Sequence, residues 1–506
     1  MGRINTNVQS LIAQRVLGQN QQGLATSLER LSTGLRINSG KDDPAGLIAS
    51  NNLSAEITGK NAAISNANRA DQVVNIAAGG ITEVSSLLTQ LQGLVTASSS
   101  AAGISESEKQ ANQLQIDSIL QTVDRISSST SFQGVRLLNG NFDFKTSAVA
   151  GGVSDYKINA AKFNGSTNVD VLVTASAHKG GMFLSFGAQT IDTGTGSQFT
   201  IEVGGANGTR QLTFSSSTSL TNIAAAINSF TSITGARAKV SSTGIRLDAT
   251  DFGSANYASL RVVDAGNIAT AGTQGVYALS STNDAVANTT IVSQFSAATN
   301  TITKKGADVT ATINGISTTA TGKTARVNTD FLDVEVTLSD TQSQTLGAVT
   351  STNSSHAFSI TGGGASFQLN GNVDIGGKVS IGIQSVETTK LGTAALGYLN
   401  SLASGKANNV VTGSTDQAQQ VIAAAILQTS TLAGRLGAFQ SNTIGSTVRS
   451  LGVAVENSTA AQSIIRDADF ASETAKLTRN QILVNASTNI LGVANQSPQA
   501  ALQLLG

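Results

Sequence analysis

Few residues of this 506-residue chain could carry out acid–base or nucleophilic chemistry. The chain has two histidines, His178 and His356, and no cysteine. A Ser–His–Asp triad holds a histidine between a nucleophile and a carboxylate, but serine and aspartate are so abundant here that any pairing is arbitrary. No HExxH sequence is present, and without cysteine neither a thiolate metal site nor a disulfide can form. The sequence therefore predicts no catalytic residue, no metal site and no cofactor, and a protein that is not an enzyme.

Two other patterns that could bind ligands have simpler interpretations. Gly362–Gly364 lacks the Lys-Ser/Thr of a phosphate-binding loop and lies between predicted strands, so a turn is expected there. Asp42 and Asp43 precede Pro44, which is typical of a helix start, because Asp43 can cap free N–H groups and proline needs no donor at that position. Near the chain end, Arg466, Asp467 and Asp469 are expected to lie at another helix start.

Charge and hydropathy exclude several partners. The 31 basic and 31 acidic residues balance, so electrostatics gives no reason to expect nucleic acid or an anionic membrane as a partner. The N-terminal sequence MGRINTNVQSLIAQRVL is amphipathic without the apolar core of a Sec signal peptide. No stretch is expected to contain the roughly 18 apolar residues that a membrane span needs. The sequence predicts no nucleic acid partner and no membrane insertion.

Both chain ends have helical patterns. Residues 1–35 are predicted to form one helix, whose second half repeats leucine at spacings of four, three and four: Leu24, Leu28, Leu31 and Leu35. Gly34, Ser39 and Gly40 then interrupt the pattern before a second helix starts. From Ser458 to Gly506 a further helix is expected with an apolar stripe at Leu483, Ala486, Ile490 and Ala494. Pro498 is expected in a tail beyond it, since proline inside a helix costs roughly 3 kcal/mol.

The clearest periodicity predicts a coiled coil. Over 45–97, apolar residues occupy nine of nine seam positions: Ala67, Ala70, Val74, Ala77, Ile81, Val84, Leu88, Leu91 and Val95. A shorter helix is predicted at about 105–129. The last long helix, 414–456, has a seam that includes Leu432 and Leu436 and continues from Ile444 after a one-residue register shift.

The centre of the chain is predicted to be β-rich. From about residue 141, period-two runs such as Leu332–Leu338 alternate with Gly, Asn, Ser and Asp turns. Residues 199–249 predict the order strand, turn, strand, helix, strand, strand. The stretch 255–360 has weak strands, and we expect it to form an exposed outer domain. The fold class is therefore α+β multidomain, with a long α-helical coiled-coil stalk built from both chain ends and β-rich central outer domains.

Two end motifs resemble bacterial flagellin, the subunit of the flagellar filament. They are SLERLSTGLRINSGKDDPAGLIASNNL near the start and SIIRDADFASETAKLTRNQILVNASTNILGVANQSPQAALQLLG at the end. The resemblance covers roughly residues 1–140 and 385–506, and 199–249 is similar to a small module of flagellins and hook-associated proteins. It implies five segments: 1–44 and 461–506 as helices of an inner core, 45–142 and 367–460 as the coiled-coil inner domain, and 143–366 as the variable outer region.

The same resemblance implies function, partners and site residues. The chain would self-assemble into the extracellular filament for swimming motility, and would leave the cell without a cleaved signal peptide. Its partners would be other copies of itself, flagellar cap and hook-junction proteins, an export chaperone and the flagellar type III export apparatus. Subunit packing would use Leu24, Leu28, Leu31, Leu35, Ile482, Leu483, Ala486 and Ile490 in the inner core, and Val74, Ile81, Leu88, Leu91, Val95, Leu432 and Leu436 in the coiled coil.

One departure from the family concerns an immune receptor. Many flagellins carry an Arg and a Glu on the helix that corresponds to 88–96, and a Toll-like receptor of animals recognises them. Gln90 and Gly93 occupy those positions here. The sequence therefore predicts weak or absent receptor recognition.

Three other functions remain open at this point. A hook–filament junction protein would share flagellin-like ends without polymerising indefinitely, although the close match at Asn480–Leu483 and Asn495–Gln499 favours flagellin. The central region could instead be a binding module, such as an adhesin or a surface that bears O-linked glycans on its many Ser and Thr residues. The third is an enzyme inserted in the centre. The sequence shows neither a set of metal ligands nor a nucleophile with its base to support that function.

Overall fold

The computed structural model describes residues 6–100, 103–163, 165–194, 196–242, 244–268, 274–279, 287–351 and 354–503, with the backbone alone for 287–289 and 497–503. The helices are α1 (Val8–Thr33), α2 (Pro44–Ser98), α3 (Glu106–Ser129), α4 (Leu220–Ser229), α5 (Thr231–Thr234), α6 (Asp340–Gln344), α7 (Thr415–Ala438), α8 (Gly445–Arg466) and α9 (Phe470–Gln503). The described residues divide into two compact units. One contains the chain up to Ala78, Phe367–Lys378 and the chain from Ala433 onward, and the other contains Gly79–Ser366 and Val379–Leu432.

The strands comprise short hairpins and the sheets of the central region. They are β1 (Ser131–Phe132), β2 (Val135–Arg136), β3 (Phe144–Ser147), β4 (Val153–Ala161), β5 (Thr167–Val169), β6 (Val171–Ala175), β7 (Lys179–Ser185), β8 (Gln198–Gly205), β9 (Gly208–Ser215), β10 (Ala236–Ser241), β11 (Gly244–Phe252), β12 (Tyr257–Asp264), β13 (Gly275–Leu279), β14 (Ala287–Ser293), β15 (Ile302–Lys305), β16 (Thr310–Ile313), β17 (Ile316–Ser317), β18 (Thr319–Thr321), β19 (Thr324–Asn328), β20 (Leu332–Leu338), β21 (Gly347–Val349), β22 (Phe358–Gly363), β23 (Ala365–Gln368), β24 (Lys378–Ile381), β25 (Gly392–Thr393) and β26 (Gly397–Tyr398). The α+β fold class is confirmed.

Helix α2 forms as predicted. Asp43 caps it, because its carboxylate accepts a hydrogen bond from the Gly46 N–H at 2.9 Å, and Pro44 is the first helical residue. All nine predicted seam side chains of α2 are at most 1% exposed. An unbroken apolar seam over four heptads was therefore sufficient to identify the buried face of a 55-residue helix.

The coiled-coil residues predicted to pack between subunits are buried within the single chain. Val74, Ile81, Leu88, Leu91, Val95, Leu432 and Leu436 are at most 3% exposed in the single chain. Side chains enclosed by their own chain offer no surface to a second subunit, so they hold this chain's helices together instead of contacting a neighbouring copy directly.

The predicted register shift between α7 and α8 is a π-helical turn, Phe439–Ile444. A π turn inserts one extra residue into a continuous helix and rotates everything after it by about 100°. Phe439 and Ile444 are five residues apart, yet both remain buried.

Helix α3 starts with a capping box at Ser105. The Ser105 hydroxyl accepts the backbone N–H of Glu108, and the Glu108 carboxylate accepts the backbone N–H of Ser105.

The helical run Thr415–Arg466 corrects one expectation. Among the described residues it is the one helix long and apolar enough, by length and composition alone, to cross a membrane, whereas no such stretch was expected. Its seam residues Val421, Ile422, Ala425 and Leu436 are fully buried inside the chain. Since the core helix of a soluble protein passes the same test, this finding is weak evidence for a membrane span.

Among its described residues, the central region contains two hydrophobic cores, each between its own sheets. The first lies among the sheets β17-β16-β6-β21, β18-β19-β20-β4 and β3-β22-β5. The second lies among α4 and the sheets β10-β11-β7-β13-β14 and β15-β12-β8-β9. The predicted element order within 199–249 is confirmed, from β8 through β11.

The expectation that 255–360 forms a domain of its own is wrong. Its first part, β12–β15, completes the second core, because β12 pairs with β8 and β13 pairs with β7. Its later part, β16–β22, completes the first core, where β20 pairs with β4 and β16 with β6. Pairings between distant strands decide which sheet each strand joins, and such pairings leave no local signal in the sequence.

Candidate functional site

Helices α1 and α9 form an antiparallel pair held by hydrogen bonds between side chains. Ser10 donates to Asn495 at 2.7 Å and Asn20 donates to Ser487 at 2.7 Å. Asn480 lies against Ser27, at 3.4 Å. The residue numbers of partners rise on one helix as they fall on the other, so the helices run in opposite directions over most of α1.

The contact face between these helices is a heptad seam with polar layers. Its positions on α1 are Ser10, Ala13, Leu17, Asn20, Leu24, Ser27 and Leu31, and on α9 they are Glu473, Leu477, Asn480, Val484, Ser487, Leu491 and Ala494; all are buried or half-buried. Aliphatic residues thus alternate with small or amide-bearing residues. Small residues let the two backbones approach closely, and each polar side chain that faces the seam requires a partner across it.

The last seam position, opposite the end of α1, is a buried carboxylate, Glu473. Glu473 is 4% exposed, lies 3.1 Å from the Lys476 ammonium and 4.0 Å from the Arg30 guanidinium. Burial raises the pKa of Glu473, but hydrogen bonds from Lys476 and Ser27 and the charges of Lys476 and Arg30 outweigh burial, so its pKa lies below the ordinary value. The carboxylate is therefore charged and paired at neutral pH.

The predicted motif residues around Arg466 form the junction between α8 and α9. Asp469 caps α9 by accepting the N–H groups of Ala471 and Ser472 at 3.0 and 3.1 Å. The segment before it pairs with the end of α1, since the Arg36 N–H donates to the Arg466 carbonyl at 2.7 Å and Leu35 bridges Asp467. Two chain segments that are 430 residues apart thus meet through their backbones.

Helix α9 continues through Pro498, although a non-helical tail was expected there. Proline has no N–H, so it cannot donate to the Ala494 carbonyl four residues earlier. The Asn7 amide of α1 donates to that carbonyl instead, at 2.8 Å. The helix therefore accommodates proline because its partner helix supplies the missing donor.

Several predicted packing residues lie away from this seam. Leu24 and Leu31 are half-buried in it, but Leu28 is exposed and Leu35 lies beyond the end of α1. On α9 the predicted stripe is displaced from the seam: Ile482, Leu483, Ala486 and Ile490 are exposed, and Val484, Ser487 and Leu491 face α1. The seam itself was not predicted because it includes Glu, Asn and Ser, while a more apolar stripe occupies another face. Packing of that stripe between subunits stays a prediction. A heptad search that admits small and amide-bearing residues would have found the seam.

The outer side of the pair is apolar. Ile482, Ile490 and Val493 are each more than 60% exposed, and at spacings of eight and three they share one face of α9. On α1, Val8, Leu11 and Ile12 are at least 46% exposed on the side away from the seam. Single exposed apolar residues are ordinary, but a stripe of this length on a folded pair of helices marks an interaction surface.

The two histidines and the two receptor positions lie outside the α1–α9 pair. The Asn168 amide lies 3.0 Å from Nε2 of His356, and Asp170 contacts Nδ1 of the same ring; His178 lies 3.2 Å from Ser176. No group of three His, Cys, Asp or Glu side chains able to hold a metal occurs within the ranges that the structure describes. Gln90 and Gly93 are exposed on one face of α2, one turn apart.

Comparisons with known proteins identify the family. Residues 4–143 match the bacterial flagellin N-terminal helical region and residues 419–505 match the bacterial flagellin C-terminal helical region. A flagellin of Salmonella muenchen is 30% identical over 99% of both chains, and a B-type flagellin of Pseudomonas aeruginosa is 29% identical over 99% of both.

A solved structure is similar over part of the chain. The D2–D3 domains of the flagellar cap protein FliD from Escherichia coli align with 40% of this chain and 96% of their own, at 18% identity and a TM-score of 0.24, which is too low to support an inference. The flagellin relatives, by contrast, span both end motifs, both helical ends and the centre. The chain belongs to the bacterial flagellin family.

Proposed function

We propose that this chain, a structural subunit of the flagellar filament, polymerises through the apolar stripe on the outer side of the α1–α9 pair. The polar seam already satisfies the face between the two helices, so the exposed stripe is available for a neighbouring copy. Burying apolar surface contributes about 25 cal/mol per Å² removed from water. Ile482 and Ile490 carry this proposal, because both are more than 60% exposed on a helix that is otherwise paired.

Other family properties extend the proposal. The filament is extracellular, and we infer that the chain is exported without a cleaved signal peptide by the flagellar export apparatus with a chaperone. Cap and hook-junction proteins would contact the ends of the filament. No catalytic role is proposed for either histidine. Weak recognition by the Toll-like receptor stays a prediction, and it is supported by the absence of charge at the exposed positions Gln90 and Gly93.

The test is seeded polymerisation of purified monomer. The double variant Ile482→Ser, Ile490→Ser should keep the helical circular dichroism of the wild-type monomer, because neither side chain packs inside the chain. It should fail to elongate filament seeds under conditions in which the wild-type chain forms long filaments by electron microscopy.

A matched control distinguishes loss of this stripe from a general loss of apolar surface. Leu346→Ser removes a side chain of similar exposure, 62%, from the β-rich centre and should elongate seeds normally. Normal elongation by the double isoleucine variant would overturn the proposed stripe. Capping of seeds without elongation by the wild-type chain would instead favour the hook-junction alternative.

A further inference from the structure

The five-stranded sheet β10-β11-β7-β13-β14 presents a line of aromatic, aliphatic and cationic side chains on its outer face. Its members are consecutive cross-strand partners, one from each strand: Lys239, Arg246, Phe183, Tyr277 and Ile291. The neighbours of Phe183 along β7, Met182 and Leu184, are at most 1% exposed in the second core. Because side chains alternate along a strand, the whole line lies on the opposite, outward face.

Glycines beneath this line make the surface flat. A Cβ on Gly244 would lie 2.5 Å from the Phe183 ring, and a Cβ on Gly275 would lie 2.6 Å from the end of Ile291. The Phe183 ring therefore lies against the backbone of Gly244. The side chain of any larger residue at position 244 would occupy the space of the ring. A ring that lies against the sheet can turn its other face to solvent.

The cationic end of the line has more positive charge than its neighbours neutralise. Arg246 is paired, because its Nε lies 2.7 Å from both oxygens of Asp248. Arg237 and Lys239 are exposed on the edge strand β10 and form no ion pair within the part of the chain that the structure describes. Two strand spacings separate Lys239 from Phe183, a distance of about 10 Å.

Open space and an unsatisfied hydroxyl lie beside these cations. A concavity of about 420 Å³ is lined by the cations Arg237, Lys239 and Lys179 and by Asp248, the carboxylate that pairs with Arg246. A second of about 360 Å³ is lined by Arg237 and Thr231. The Thr231 hydroxyl oxygen is buried and has no hydrogen-bond partner. Because that oxygen is buried, a ligand in these concavities would place its acceptor oxygens on the cations instead.

We propose that this face binds a polysaccharide that contains uronic acid. A sugar ring would lie on Phe183 and Tyr277, and a carboxylate of the same polymer would bind Arg237 and Lys239. The fork of Arg237 matches the two oxygens of a carboxylate, and aromatic faces accept the apolar face of a ring. Nucleic acid suits the surface less well, since two unpaired cations cannot neutralise a phosphate at every nucleotide and the chain has no net charge.

The experiment measures binding of the full chain to three polymers of similar length by calorimetry at low salt: alginate, uncharged dextran and oligothymidylate. Alginate should bind, while dextran and oligothymidylate should bind at least tenfold more weakly. Lys239→Glu and Tyr277→Ala should each weaken alginate binding at least tenfold. Tyr277→Phe, which keeps the ring, should bind alginate as the wild-type chain does.

Lys406→Glu is the control for charge, because Lys406 is exposed on a loop outside this sheet. It should leave alginate binding unchanged. The proposal is overturned if alginate does not bind, if dextran or oligothymidylate binds as tightly, or if Lys406→Glu weakens binding as much as Lys239→Glu. Since Lys239 is a solvent-exposed edge residue, its substitution tests the site without depending on the packing of Tyr277.

Discussion

The contact between Asn7 and Ala494 shows how one side chain can replace a missing backbone donor. The Asn7 side chain has two roles, since its oxygen caps α1 by accepting the Ser10 N–H at 3.0 Å and its amide donates to α9. Pro498 leaves the Ala494 carbonyl without its usual partner. A polar group in a helix contact costs free energy when it loses its partner, so this amide should matter more than an ordinary surface asparagine.

Asn7→Asp separates these two roles, because aspartate keeps the capping oxygen and loses the donor. We expect it to weaken the α1–α9 pair by about 1–2 kcal/mol, measured by amide hydrogen exchange along α9. In a Pro498→Ala background the backbone N–H of residue 498 can bond to Ala494, so the same change should cost much less. An equal cost in both backgrounds would contradict the role assigned to Asn7.

The residue scale also shows the limit of prediction from sequence. Asp43 and Pro44 were identified correctly because capping depends on neighbours in the chain. Asn20, Ser27 and Ser487 were missed because each looks like a surface residue until its partner on the other terminal helix is known. The apolar residues Leu483 and Ile490 face outward, so their predicted packing between subunits stays a prediction.

Helices with unbroken apolar seams were the most predictable elements. The seam of α2 and the register shift after Phe439 both follow from spacing alone, since a helix must turn each apolar residue to the same side. The strands were recognised as strands, as at Leu332–Leu338, but their sheets were not. Strand β20 pairs with β4, which lies more than 170 residues earlier, and no local pattern records that pairing.

The π turn makes a prediction about deletions. Ser441 is exposed within it, and deleting Ser441 would bring Phe439 and Ile444 to the ordinary spacing of four. The shortened helix would be regular and its seam would stay continuous. We expect the free energy of unfolding of this variant to be no more than about 1 kcal/mol below that of the wild-type chain. The measurement is urea denaturation followed by circular dichroism.

Deletion of Ser430, which is also exposed but lies in regular helix, is the matched control. It would rotate Leu432, Leu436 and Phe439 out of register with Ile422 and Ala425. We expect a loss of at least about 3 kcal/mol, because several large side chains would leave the core. Equal effects of the two deletions would show that the π turn is not a simple one-residue insertion.

At the scale of the whole molecule, the central region enters and leaves through neighbouring strands. Ser147 on β3 and Ser359 on β22 are cross-strand partners, and the Ala150 N–H donates to the Ala357 carbonyl at 2.7 Å. The 211 residues between Ser147 and Ser359 thus form an insertion whose two ends lie side by side on neighbouring strands. Antiparallel partners can be joined by a two-residue turn.

Replacing residues 148–358 by Asn-Gly should therefore leave a folded chain that elongates filament seeds. Phe144 and Ile360 lose their core in this variant, so Phe144→Thr and Ile360→Thr should accompany it to avoid aggregation. Circular dichroism should show a higher helical fraction, and electron microscopy should show filaments. Loss of the helical signal would mean that the helices depend on the central sheets.

The adjacency of Ser147 and Ser359 also has a consequence for inheritance. A crossover between two related genes at these two codons would exchange the whole central segment, whatever its length, and leave the register of every flanking helix intact. Substitutions in the α1–α9 seam have no such freedom, because each polar residue there has a partner encoded at the other end of the gene. We therefore expect the middle of this gene to recombine and diverge among lineages while its two ends change slowly and together.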